Sequence, residues 1–448
     1  MTAQFKKYER YKESNLEWLG KIPETWTKQK LTWIFNLIGS GTTPTSSNSA
    51  YYDGNIPWLI TGDLNDGIIC STSKTVTKFA LEEYSSLKVF PENSLVMAMY
   101  GATIGKLGLT KIRTTTNQAC CVMALPTNAD IRFLFYWLMG NRGEILNLSQ
   151  GGGQPNISQN IIRSLRLFCP SISEQEQIAD FLDQKTSEID SIIADKEKLI
   201  YLLNEQWRKI ITVAVTRGFK PDVQMKGSQV KWIGKTPEHW TVCKINYRYS
   251  IELGKMLDEK RIDGKSLVPY LRNQDVQWGF INVDDLPEMD ISETERERYT
   301  VKSGDLLVCE GGDVGRAAIW LGNDNEIGFQ KALHRVRPRN QEDDTSEFLY
   351  FVLTAAKHSG AFSENDSKAT ISHLTGEKFR QYRFAFPPID EQIEIADKLA
   401  YETKEINELI QELKESIVLL NEYRQSLIFE AVTGKIDVRL TVVGETAV

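Results

Sequence analysis

Two glycine-spaced segments end on a cation: Gly101-Ala102-Thr103-Ile104-Gly105-Lys106 and Gly311-Gly312-Asp313-Val314-Gly315-Arg316. Neither is a nucleotide cradle of the P-loop kind, because the spacing is one residue short and no Ser or Thr follows the cation. Two readings remain. Each is a tight turn that needs positive φ, or a turn that lets backbone and side chain (Gly101, Thr103 and Lys106; Gly312 and Arg316) approach a phosphate or a base edge.

Other polar stretches fit the same chemistry. Ser40 to Asn48 is a small polar loop in which Thr42, Thr43, Thr45 and Ser46 offer hydroxyls to phosphate or bases, or merely connect two strands. The matching place 212–213 residues later is Leu253-Gly254-Lys255, a different chemistry. Arg272, Asn273 and Gln274 have side chains able to bond two edge atoms of guanine or adenine. Gln118 and Gln330, the latter followed by Lys331, occupy equivalent places and read as buried hydrogen-bond partners or as base readers. A glycine triplet leads into Gln154 and Asn156, with Lys368 and Thr370 at the corresponding place; both are flexible loops, or loops folded over a nucleic-acid backbone.

For catalysis the sequence is poor. The four histidines (239, 334, 358 and 373) show no metal-ligand spacing. There is no Gly-x-Gly-x-x-Gly after a strand, no Gly-x-Ser-x-Gly elbow and no Asn-Pro-Pro-Tyr-like segment; Phe386-Pro387-Pro388-Ile389 lacks the flanking residues for the last. Six cysteines without a Cys-x-x-Cys pair point away from zinc or redox chemistry and towards a reduced, cytoplasmic setting. No apolar run approaches the roughly 20 residues that span a bilayer, so no membrane is expected. No metal or cofactor is expected on this chain.

The net charge of −7 is unevenly spread. Residues 1–171 sum to +5, 172–216 to −4, 217–389 to −1 and 390–430 to −7. Phosphate attraction acts within about 8 Å at physiological salt, so local sign outweighs the total. The second half then needs a local basic cluster, drawn from Lys255, Lys260, Arg261, Lys265, Arg272, Arg316, Lys331 and Lys368.

What must position these residues is an internal repeat. Trp18-Leu19-Gly20-Lys21-x-Pro23-Glu24-x-Trp26 returns as Trp232-Ile233-Gly234-Lys235-x-Pro237-Glu238-x-Trp240. Ile172-x-Glu174-Gln175-x-x-Ile178-Ala179-Asp180 returns as Ile389-x-Glu391-Gln392-x-x-Ile395-Ala396-Asp397. The four tryptophans read as packing anchors. Residues 173–213 carry apolar residues at coiled-coil spacing (Ile178, Leu182, Ile189, Ile192, Leu199 and Leu203), and the second copy repeats it with Ile395, Leu399, Ile406, Leu409, Leu413 and Leu420. Ser173 and Asp390 are the expected N-caps. Each helix extends about 60 Å at ~1.5 Å per residue. One chain can pair its own two helices, and antiparallel pairing matches the two-fold repeat. The globular halves read as mixed α/β, with strand–glycine turn–strand units and helices over Ile131 to Leu148 and Ser346 to Phe362. The division expected is 1–171 for the first globular domain, 172–216 for a spacer helix, 217–388 for linker and second domain, 389–433 for the second helix and 434–448 for a tail.

The tandem openers, the Glu-Gln helix starts and the Ala-Val-Thr helix ends resemble the specificity subunit of type I restriction–modification systems, over nearly the whole chain. The resemblance implies two target recognition domains, each reading half of a split sequence in double-stranded DNA. It implies an antiparallel coiled coil that sets the gap and docks two methyltransferase subunits, which recruit restriction subunits. S-adenosylmethionine and ATP then belong to those partners. The competing readings are a coiled-coil adaptor that binds only protein, and a nuclease assembled from Asp, Glu and Lys.

Overall fold

The computed structural model describes residues 5–149, 156–257, 264, 266–323, 326–362 and 373–439. The chain divides into two compact units, Met1–Lys196 with Glu415–Val448, and Glu197–Lys414. The division passes through both long helices, Ile172–Arg217 and Ile389–Val432.

The first unit is built on a five-stranded sheet in the order Phe35–Gly39, Cys120–Pro126, Leu95–Ala98, Leu107–Thr110, Gly67–Ile69. The pairs are antiparallel except the last, which is parallel. Side chains alternate faces along a strand, and both faces are covered. Leu95, Met97, Cys121 and Met123 enter one core with the buried helix Ile131–Gly140, while Val96, Ala98, Cys120 and Val122 enter another with Leu59, Leu64 and Phe90. That is why these strands read as continuous apolar runs. The helix expected to reach Leu148 breaks at Asn141, whose ψ of 17° ends the first segment before Arg142–Asn147 begins.

The second unit repeats the plan. Its four-stranded antiparallel sheet runs Tyr249–Leu253, Leu333–Pro338, Leu306–Cys309, Ala317–Ile319. Leu306 and Val308 face a core shared with the helix Ser346–His358; Leu307 and Cys309 face Leu271, Val276 and Phe329.

The duplicated motifs meet in space. Trp26 and Trp240 are fully buried. The Trp26 indole donates to Glu174 Oε1 at 3.0 Å, and that of Trp240 to Glu391 Oε2 at 3.3 Å. Gln175 Oε1 accepts from the backbone of Asp130, and Gln392 Oε1 from that of Thr345; these are the N-caps of the two buried helices. Trp18, by contrast, is 36% exposed and Trp232 only half-buried.

Three expectations need correction. The first long helix starts one residue earlier than its assigned cap: Ser171 bonds the Glu174 N–H, and Ser173 lies inside. Asp390 likewise lies inside its helix, whose first free N–H groups go to the Pro388 carbonyl. The apolar seam also slips. Ile192 (46% exposed), Leu199 and Leu409 (41% each) face outward, while Ile193, Ile200 and Ile410 pack inward. A helix of 3.6 residues per turn drifts from a strict seven-residue pattern, and one four-residue step in place of a three (Ile189 to Ile193, Ile406 to Ile410) restores contact. The remaining seam residues Ile178, Leu182, Ile189, Leu203, Ile395, Leu399 and Leu413 are buried, and Ile406 and Leu420 are half-buried. The tail beyond Gly434 docks at its start, with Ile436 and Val438 buried in the first unit and Lys435 Nζ bonded to the Leu19 and Lys21 carbonyls.

Candidate nucleic-acid interface

In each unit, five loops gather at one end of the central sheet, and three of the backbone bonds that join them are equivalent in the two units, those of Met99, Ile157 and Asn117 with those of Glu310, Leu374 and Gln330. In the first, Gly41 N–H donates to Thr116 Oγ1 at 2.9 Å and Thr43 Oγ1 to Gln118 Oε1 at 2.6 Å. Met99 N–H bonds the Ala119 carbonyl, Ile157 N–H the Met99 carbonyl and Asn117 N–H the Leu59 carbonyl. In the second, Gly254 N–H bonds the Leu333 carbonyl and Lys331 N–H the Lys255 carbonyl. Glu310 N–H bonds the Ala332 carbonyl, Leu374 N–H the Glu310 carbonyl and Gln330 N–H the Leu271 carbonyl. Gly41 and Gly254 are obligatory at the crossing: a Cβ would stand 1.8 Å from the Thr116 oxygen, or 2.3 Å from that of Gln330.

The glycine turns have the geometry their spacing implies. Gly101 and Gly105 have φ of 84° and 76°, and Gly312 and Gly315 of 73° and 82°, a region closed to most side chains. The cations that end them differ. Lys106 is exposed. Arg316 is not free: its Nη2 donates to the Asn273 backbone oxygen at 2.7 Å and to Oδ1 at 3.0 Å. Thr103 is half-buried and Gly312 exposed.

Several proposed readers are held by their own neighbours. The Arg272 guanidinium lies along the buried Asp275 carboxylate, with Nε and Nη2 each at 2.9 Å, so it is a turn brace and not an open fork for guanine. Asn273 spends its amide on the Gly311 and Ala332 carbonyls and its oxygen on Arg316. Lys255 is bound to Glu295 at 2.7 Å, which holds that carboxyl below its usual range. Of the basic cluster expected in this half, Lys255, Arg272 and Arg316 are paired internally and Lys331 is exposed, while Lys260, Arg261, Lys265 and Lys368 lie outside the described residues. Thr43 and Gln118 bind each other, and Thr45 binds the Tyr84 hydroxyl through both N–H and Oγ1.

Side chains that remain outward are Ser46, Lys106, Gln118 and Asn156 in the first unit, and Gln274 and Lys331 in the second. Thr42 and Gln330 are half-buried; the shared bond to Leu59 or Leu271 places Gln330 opposite Asn117, and Lys331 opposite Gln118, so the two glutamines expected at equivalent places are one residue out of step. Gln154 and Thr370 lie outside the described residues. A pocket of about 570 Å³ in the second unit brings together Leu253, Asn273, Glu310, Gly311, Gly312, Lys331, Ala332 and His373. Glu310 and His373 were not legible as site residues; the only signal was the position of Glu310 directly before a glycine turn. Burial pushes the Glu310 carboxyl up, and His373 and Lys331 pull it part of the way back. No group of three or more His, Cys, Asp or Glu suited to a metal ion occurs among the described residues, and no helix among them is long and apolar enough to cross a membrane.

The type I restriction modification DNA specificity domain is matched twice, over residues 23–200 and 237–418. A specificity subunit of the type I restriction enzyme MjaVIII from Methanocaldococcus jannaschii is 24% identical over 441 residues, covering 96% of this chain and 97% of that protein. Among solved structures, a chain described under complex assembly and conformational transition of the type I R-M system superposes with a TM-score of 0.70 at 14% identity, over 92% of this chain and 98% of that one. The HsdS subunit from Thermoanaerobacter tengcongensis gives 0.54 at 13%, over 93% and 98%. With its specificity domain present twice on a duplicated frame, the chain belongs to the type I restriction–modification DNA specificity family, as a DNA specificity subunit.

Proposed function

We infer that the two units are two unlike readers, each taking one half of a split duplex target, spaced by the two long helices running antiparallel. The observation that carries this is the shared wiring of the two loop clusters, on which different side chains are displayed: Lys106, Gln118 and Asn156 in one, Gln274, Lys331 and Glu310 in the other. Support for the antiparallel course comes from each unit separately. In the first, Asp190 pairs with Arg424 at 3.2 Å. In the second, Leu203 packs with Ile410 and Leu413, and Ile211 shares a core with Ile395 and Leu399.

The helices also leave a duplicated apolar surface. Tyr201 and Leu202 are exposed, as are Val418 and Leu419 at an offset of 217. Equivalent patches on both repeats suit two copies of one partner, which supports docking of two methyltransferase subunits, with restriction subunits joining through them. In this reading the chain works in the cytoplasm and catalyses nothing itself; S-adenosylmethionine and ATP are held by the partners. The test is a mobility shift with purified chain, with and without a methyltransferase subunit, together with mapping of methylated adenines. A bipartite motif bound tightly only by the complex is expected. Assembly with the subunit but no DNA preference would favour the protein-only adaptor, and cleavage or methylation by the chain alone would favour an enzyme.

A further inference from the structure

The buried and half-buried carboxylates described in the second unit almost all hold a cation or accept a hydrogen bond. Asp275 holds Arg272, Asp305 holds Arg337, Asp344 holds Arg248, Glu295 holds Lys255, and Asp313 takes bonds from Lys357 and Trp278. Glu310 breaks the pattern. It is half-buried, lines the pocket at the loop-bearing end of the sheet, and its carboxylate has no hydrogen bond or ion pair among the described residues. A partly buried carboxylate left without a donor costs stability, and such a cost persists where a ligand supplies the donor.

The fold does not require an acid at this place. The equivalent residue of the first reader is Met99, with the same two backbone bonds and a buried side chain. In Glu310 those bonds, at 3.0 Å to Ala332 and 2.7 Å from Leu374, fix the main chain, so the carboxylate is presented from a rigid strand end. Gly311 lets the His373 ring close against the turn, since a Cβ there would stand 3.1 Å from Nδ1.

We propose that Glu310 is a specificity-determining residue of the second reader, accepting a hydrogen bond from the exocyclic amino group of a cytosine in the major groove, with exposed Lys331 beside it facing the paired or neighbouring guanine. This rests on the reading of the two units as half-site readers. Phosphate is excluded at Glu310 by like charge. Of the four base edges only cytosine and adenine present an amino donor, and adenine sets an acceptor nitrogen beside it that repels a carboxylate. Lys331 supplies the cation that guanine O6 and N7 accept.

The experiment compares wild type, Glu310→Gln and Glu310→Met, each assembled with its methyltransferase subunits, by mapping methylated adenines in DNA from a host lacking other adenine methylation. Wild type is expected to require a C·G pair at one position of one half-site. Both variants are expected to lose about tenfold or more of that discrimination, with the other half-site and the gap unchanged. Because the carboxylate is strained by burial and not a brace, both variants are expected to unfold at or above the wild-type temperature near pH 7. An unchanged motif in both variants, or a relaxed motif accompanied by a lower unfolding temperature in both, overturns the assignment. A wild-type complex that yields no bipartite motif at all overturns instead the half-site reading beneath it.

Discussion

The Trp26 indole stands 3.0 Å from the Glu174 carboxylate, joining the first residues of a repeat to the start of its long helix. Tyr8 donates to the same oxygen at 2.8 Å. Glu174→Ala orphans both buried donors, at about 1–3 kcal/mol each. Urea denaturation at neutral pH measures the loss, and a change below about 0.5 kcal/mol, within the range of surface substitutions, would show that the bond contributes nothing.

Among the described residues Lys106 is an exposed cation without a partner, whereas Arg272 is braced by Asp275. Lys106→Ala is expected to weaken binding of the assembled complex evenly across sequences and to reduce the salt slope by about one. Arg272→Ala removes the partner of buried Asp275, so a lower unfolding temperature with an unaltered motif is expected. Relaxation at a single base position in the Arg272 variant would return that residue to the readers.

Spacer length is testable by matched insertion. Seven residues added to each long helix within 180–205 and at the equivalent place of the second lengthen the pair by roughly 10 Å, at ~1.5 Å per residue. That equals about three base pairs at ~3.4 Å each. Methylation mapping should show the gap widened with both half-sites intact, or no assembly. An assembled complex with an unaltered gap contradicts the spacer role.

His334 gives the second unit an acid limit. Its ring is buried, Nε2 donates to the Leu374 carbonyl at 2.7 Å, and burial first, then Arg380, holds its pKa below the ordinary imidazole value. The unfolded state therefore binds the proton more readily. The associated stability is complete above about pH 6.5 and falls as pH drops through the lowered folded value. His334→Phe should flatten the pH dependence of unfolding below pH 6.5 whatever it does to absolute stability; an unchanged slope would refute the assignment.

The sequence by itself determined the repeat, the two long helices, the apolar strand runs and the positive-φ turns, because each follows from local spacing and backbone sterics. Even the drift of the seam was implicit in the helix period, though the choice of Ile193 over Ile192 and Ile410 over Leu409 needed a packed partner to decide it. Which polar side chains are free was decided only in three dimensions. Arg272, Asn273 and Arg316 have the types suited to base edges, yet Asp275 claims Arg272, the Gly311 and Ala332 carbonyls claim the Asn273 amide, and the Asn273 oxygens claim Arg316. Glu310 looks ordinary in the chain and becomes distinctive because nothing among the described residues claims it. Hydrogen-bond satisfaction depends on groups brought together from far along the chain, here Asn273 with Ala332 and Glu310 with Leu374, and residue type and local spacing carry no record of that pairing.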